Sequence, residues 1–254
     1  MNKFAHEVMT APTGHTHIFS VGQAGYIIKT HTGSLLGIDL YLSDCVERFE
    51  GNTGFKRLLP KLLFPDELQF DAVICTHPHL DHFDIDAVPY FLSNGQTKLY
   101  CSVDCAKHIK RLNLEYYRQN IAYVEPKSSY VLGDMRIDFV SCDHGVAAPD
   151  AVGVVVHTGG KVIYEAGDTC LQLDILREIP CAVDVLIAPI NGAFGNMTEE
   201  DCAILSERLC PKITIPCHYG MFASHHGDAG KFYDIMTAKG LPFMLMQQGE
   251  KYTL

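Results

Sequence analysis

The 254-residue sequence predicts an α/β protein in which two mixed sheets pack face to face with helices outside. Three observations lead there. Strand-like apolar runs outnumber helical stretches. The two halves of the chain alternate strands and helices in a similar way. No linker or low-complexity segment divides them, so residues 1–254 read as one domain built from two similar halves.

The first half opens with strands near His15–Val21, Tyr26–Thr30 and Ser34–Asp39. An irregular or helical part, Thr53–Leu63, leads to the apolar run Ala72-Val73-Ile74-Cys75, which reads as a buried strand. A helix is expected from Ile85 to Leu92, with Pro89 a blemish in it. Strands near Lys98–Cys101 and Ile121–Val124 bracket a helix from Asp104 to Leu112. The second half begins with strands Met135–Ser141, Val152–His157 and Lys161–Ala166, and Thr158-Gly159-Gly160 makes a hairpin turn between the last two. A helix near Leu171–Glu178 leads to the buried strand Val183–Ala188. Thr198 is a good N-cap, with Asp201 three residues on, for a helix to Leu209. The strand Lys212–Ile215 follows. A last helix, about Asp228–Lys239, precedes a closing strand Pro242–Met246.

The most informative stretch is His77-Pro78-His79-Leu80-Asp81-His82, directly after the apolar run at Ala72–Cys75. Three imidazoles and a carboxylate within six residues suit zinc, manganese or iron, which accept mixed nitrogen and oxygen ligands. Further candidates stand just past other expected strands: Asp143-His144-Gly145, Gly167-Asp168-Thr169 and Pro216-Cys217-His218-Tyr219-Gly220. Each is weak alone, because a histidine after a strand is commonly a hydrogen-bonded loop residue. Their order and context, taken with the first motif, point to a two-metal site on one edge of the sheets.

The series His77, His79, Asp81, His82, His144, Asp168, His218 resembles the metal-ligand set of the metallo-β-lactamase superfamily. The resemblance implies that family's four-layer αββα sandwich. It also implies that His77, His79 and His144 hold one metal, that Asp81, His82 and His218 hold a second, and that Asp168 bridges them. One or two divalent ions are expected, Zn2+ or Mn2+, with Fe2+ less favoured. An oxygen-reducing di-iron member would be expected to carry glutamate in place of His79. Within the superfamily the chain is similar to the L-ascorbate-6-phosphate lactonase group. That finer likeness rests on Gly22-Gln23-Ala24-Gly25-Tyr26, Ile38–Asp44, Pro189-Ile190-Asn191-Gly192 and Ile215–Gly220. It implies hydrolysis of a small anionic ester, such as a phosphorylated sugar lactone, by metal-activated water. A phosphodiesterase or nuclease of the same fold, or a non-catalytic metal-containing binding protein, are the alternatives. The full ligand series favours an enzyme.

Other residues are candidates to shape the pocket. Asp39 ends a strand and is suited to accept a hydrogen bond from a ligand histidine. Asp81 is expected to help the attacking water, and Tyr219 to donate to a developing oxyanion. Asn191, Asn196, His225 and His226 are candidate substrate contacts. The basic run Lys107-His108-Ile109-Lys110-Arg111 reads as a solvated helix face.

Composition fits this picture. Hydrophobic residues make up 47% of the chain, and mean hydropathy is near zero. No apolar run approaches the roughly 20 residues that cross a bilayer, and no signal segment follows Met1. A cytoplasmic protein without membrane contact is therefore expected, with a homo-oligomer allowed. A net charge of -10 argues against nucleic acid. The ten cysteines form no C-x-x-C pair and read as buried, reduced thiols, with Cys217 facing away from the metals and Cys142 structural.

Overall fold

The computed structural model describes residues 2–179 and 181–254. Its first sheet holds β1 (His17–Gly22), β2 (Gly25–Lys29), β3 (Leu35–Ile38), β4 (Ala72–Cys75), β5 (Lys98–Ser102) and β6 (Ile121–Val124), edged by β13 (Lys251–Thr253). The strand order is β13-β1-β2-β3-β4-β5-β6, antiparallel as far as β3 and parallel beyond it. The second sheet holds β7 (Ser129–Leu132), β8 (Met135–Ser141), β9 (Val152–Thr158), β10 (Lys161–Glu165), β11 (Val185–Pro189) and β12 (Ile213–Cys217). Its order is β12-β11-β10-β9-β8-β7. Here too a parallel part, β10-β11-β12, joins an antiparallel part. The first sheet thus takes its strands from the first half of the chain plus the C-terminal β13, and the second sheet takes its strands from the second half.

Side-chain alternation explains the layers. Ile18, Tyr26, Ile28, Ala72 and Ile74 face Ile137, Phe139, Val154, Ile163 and Ile187 in a core between the sheets. Their neighbours Phe19, Ile27, Val73 and Cys75 point the other way. They pack under α1 (Lys3–Thr10), α3 (Val88–Ser93) and α4 (Ala106–Arg111). Tyr164, Leu186 and Ala188 pack under α5 (Glu199–Leu209) and α6 (Ala229–Lys239). The result is the expected αββα sandwich.

Several local expectations hold. Thr198 and Asp201 form a reciprocal capping box on α5. The β9–β10 hairpin turns on Gly159 and Gly160, both with positive φ, as a two-residue turn of the primed type requires. Pro89 does not interrupt a helix. It sits in the first turn of α3, where its missing N–H costs nothing, so the helix starts at Val88 rather than Ile85.

Other expectations are corrected. Leu171–Glu178 is not an α-helix but a short 3-10 turn, Leu173–Arg177. Pro242–Met246 is not a strand and makes only an isolated bridge, Thr214 to Phe243. The closing strand is β13, which pairs with β1. Helix α1 is unforeseen, as are α2 (Cys45–Glu50) and β7. The buried Lys29 ammonium donates to the carbonyls of Val8, Met9 and Ala11, and so ties the end of α1 to the sheet. All ten cysteines are free, although Cys181 and Cys210 are exposed rather than buried. No helix among the described residues is long and apolar enough to cross a membrane.

Candidate metal centre

Five strand ends deliver the site. The residues after β4 carry His77, His79, Asp81 and His82; those after β8, His144; after β10, Asp168; after β12, His218; and after β3, Asp39. Asp39 and His218 both have positive φ, 47° and 63°, so the chain turns sharply where each strand stops.

Two donor sets result. His77, His79, His144 and Asp168 form one, and Asp81, His82 and His218 form another. In the first, His79 Nδ1 lies 3.0 Å from His77 Nε2 and 3.1 Å from His144 Nε2. In the second, His82 Nε2 and His218 Nε2 are 3.2 Å apart, and Asp81 Oδ2 is 3.6 and 3.4 Å from them. Asp168 reaches both sets: Oδ2 is 3.8 Å from His144 and 3.0 Å from His218, and Oδ1 is 3.5 Å from His82.

These donors fit a divalent ion. Thr76 Oγ1 donates to Asp39 at 2.6 Å and accepts from His77 Nδ1 at 3.0 Å, which leaves a lone pair on His77 Nε2. His82 Nδ1 likewise donates to Asp39 at 2.7 Å, so in the neutral ring Nε2 is the lone-pair atom. Lone pairs turned toward one another at such distances are satisfied by a shared cation, a proton in the metal-free protein or a metal ion in the loaded one. Donors about 2.0–2.1 Å from one tetrahedral ion stand roughly 3.3 Å apart, close to the separations seen.

Asp39 also lies within reach of His77 and His82 as a candidate donor. It is better read as their orienter, because its oxygens already accept from Thr76 N, Thr76 Oγ1 and His82 Nδ1. One carboxylate thus sets the ring orientation in both donor sets. Asp39→Ala is expected to weaken metal binding by roughly 10–100-fold. Competition with a chromogenic chelator measures this, and unchanged affinity would remove Asp39 from the role.

The electrostatics follow from burial among opposite charges. Burial pushes His77 well below its ordinary value, and His144 down to about 4. Burial also opposes charge on Asp168 and Asp81, but His218 and His82 overrule it and hold both carboxyls well below the usual range. In the metal-free protein His218 is raised to about 9, since Asp168 and Asp81 outweigh its burial. Metal bound through this imidazole must displace its proton. Loading near neutral pH should therefore release protons, and affinity should fall as pH drops below about 9. Calorimetry in buffers of different ionisation heat checks this; a buffer-independent heat would contradict it.

A cavity of about 480 Å³ opens over the cluster. His79, Asp81, His144, Asp168 and His218 form part of its lining, with Phe55, Phe194 and His225 nearby. Gln23, in the β1–β2 turn, is buried behind this lining. Its Nε2 donates to Asp81 Oδ2 at 2.8 Å, and a carboxylate can only accept, which fixes the amide's orientation. The second amide hydrogen has two ring nitrogens within reach, His225 Nδ1 at 3.0 Å and His218 Nε2 at 3.2 Å; the latter is committed to Asp168 at 3.0 Å, which leaves the hydrogen to His225. His225 therefore carries its own proton on Nε2, and burial keeps it neutral by lowering it to about 4. Its ring stacks on His218, with centroids 4.4 Å apart.

The remaining expected contacts divide. Tyr219 is outside the cavity lining and packs against the core under α5 and α6, so the structure does not support it as an oxyanion donor. Asn191 and Asn196 are buried and bond to each other at 3.0 Å; their loop gives the cavity Phe194 instead. His226 is exposed and also outside the lining. The basic run is not only a solvated face, since Lys107, His108 and Arg111 line the cavity. Cys217 lies in the core between the sheets, and Cys142 donates to the Asp168 carbonyl. Gln23 was the residue the sequence left without a role, although its stretch, Gly22–Tyr26, had contributed to the resemblance.

The profile of the beta-lactamase superfamily domain matches residues 40–219, a span holding all seven residues of the two donor sets. The chain belongs to the metallo-β-lactamase superfamily. A metal-dependent hydrolase of Carboxydothermus hydrogenoformans is 29% identical over 200 residues, covering 75% of this chain and 84% of that protein. One from Thermus thermophilus is 30% identical over 190 residues, covering 72% and 81%. Among solved structures, Igni18, a metallo hydrolase of Ignicoccus hospitalis, superposes with a TM-score of 0.74 at 20% identity, covering 94% of this chain and 98% of that one. This last likeness shows that the superfamily fold extends over nearly the whole chain.

Proposed function

We propose that this superfamily member is a metal-dependent hydrolase of small anionic esters, with a lactone such as a phosphorylated sugar lactone as the favoured substrate. The observation that carries the reading is the pair of donor sets sharing Asp168 in the lining of a cavity sized for a small molecule. The relatives support the metal-dependent hydrolase, and the choice of a lactone rests on the resemblance to the lactonase group alone. His77, His79, His144 and Asp168 would hold one ion, and Asp81, His82 and His218 would hold the second, with Asp168 within reach of both sets. Zn2+ or Mn2+ suits these nitrogen and oxygen donors. When bound, the ions supply Lewis acidity, which polarises a carbonyl or phosphoryl oxygen and makes water reactive near neutral pH.

The chain's own residues do the rest. Asp81, ionised and held by the Gln23 amide, orients the attacking water and accepts its proton. His225 replaces Tyr219 as the donor to the developing oxyanion, because Gln23 fixes its proton on Nε2. The test is a screen of metal-loaded protein against lactones and small phosphoesters, with a chelator control. Metal-dependent turnover of a small ester supports the reading. Robust RNA cleavage with no small-ester activity would overturn it.

A further inference from the structure

We propose that α4 is the anion-binding wall of the cavity, with Lys107 and Arg111 gripping the charged group of the substrate and His108 anchoring the helix to the Pro78 loop. The hydrolase reading supplies the reaction; the binding assignment stands on α4 itself. Lys107 and Arg111 are four residues apart, hence on one helix face, and both line the cavity. Among the described residues neither has a carboxylate within ion-pair distance. Glu50 shares the lining but pairs with neither. Two unpaired cations beside the cluster of a protein with net charge -10 are well placed for an incoming anion. Arg111 is held with its guanidinium carbon 5.8 Å from the centre of the Phe49 ring, which also lines the cavity. A guanidinium grips phosphate or carboxylate with paired N–H groups, and an ammonium adds a point charge.

His108 fixes the wall in place. Its Nε2 lies 2.8 Å from the Pro78 carbonyl, which can only accept, so the proton sits on Nε2. Burial keeps the ring neutral by lowering its pKa. Nδ1 is then a bare acceptor, buried and without a protein partner, on a residue of the cavity lining. Nδ1 is sealed from solvent, so it is the Nε2 bond that ties α4 to the loop carrying His77 and His79. The ligand class is a small phosphate or carboxylate.

The probe is phosphogluconate, titrated calorimetrically into metal-loaded wild type, Lys107→Ala/Arg111→Ala and Lys110→Ala. Lys110 is exposed and outside the lining. Matching metal content and circular dichroism check folding. The double variant should bind about tenfold or more weakly, the loss of roughly one charge-assisted contact. Lys110→Ala should match wild type. Equal affinity in all three proteins, or no binding by wild type, would overturn the assignment. Turnover of a neutral lactone with an unchanged preference for anionic substrates in the double variant would leave the hydrolase standing and sink the wall. Selective loss of phosphogluconate binding, without turnover of any ester, would do the reverse.

Discussion

His77→Ala/His79→Ala is expected to lose the first metal and nearly all activity. Two of four donors vanish, leaving His144 and Asp168, too few for a four-coordinate site. Turnover should fall by about 10³-fold or more, since removing even an outer hydrogen-bond partner typically costs roughly 10–100-fold. Elemental analysis should find at most one equivalent per chain. His77 is fully buried, so His79→Ala alone, at the half-buried position, guards against a folding defect. Full metal content in the double variant would sink the ligand assignment.

Asp81→Asn should separate chemistry from binding at the first set. Asp81 belongs to the second set, and asparagine keeps its shape and its contact with Gln23 while removing the charge. The first metal should stay. The kcat should drop by about 10²-fold or more if the carboxylate gives general-base help of ordinary size. An unchanged kcat in a fully metallated variant would remove Asp81 from the mechanism.

The metal cluster was legible in the sequence because strand chemistry and ligand chemistry are both local. Ala72–Cys75 announces a strand, and His77–His82 announces donors at its end. Gln23 was not legible, because an amide in a hairpin turn has no distinctive local pattern. It acquires a role only when β1–β2 is laid beside the loop carrying Asp81. Lys107 and Arg111 looked like solvent residues for a similar reason. A short helix shows which residues share a face, but its packing against the Pro78 loop decides what that face meets.

Tyr219 misled through adjacency. The turn at His218, with φ of 63°, aims that imidazole at Asp168 while the next side chain packs under α5 and α6. The chain's end misled through weak signals. Pro242–Met246 is apolar enough to resemble a strand, whereas the real edge strand, Lys251–Thr253, has three residues and little pattern.

Metal stoichiometry tests the central claim most directly. Purified protein should carry, or take up after stripping, up to two equivalents of Zn2+ or Mn2+ per chain. Hydrolysis of a small ester should vanish with chelation and return with the ion. Failure to take up any divalent ion, or ester hydrolysis indifferent to chelation, would contradict the two-metal site.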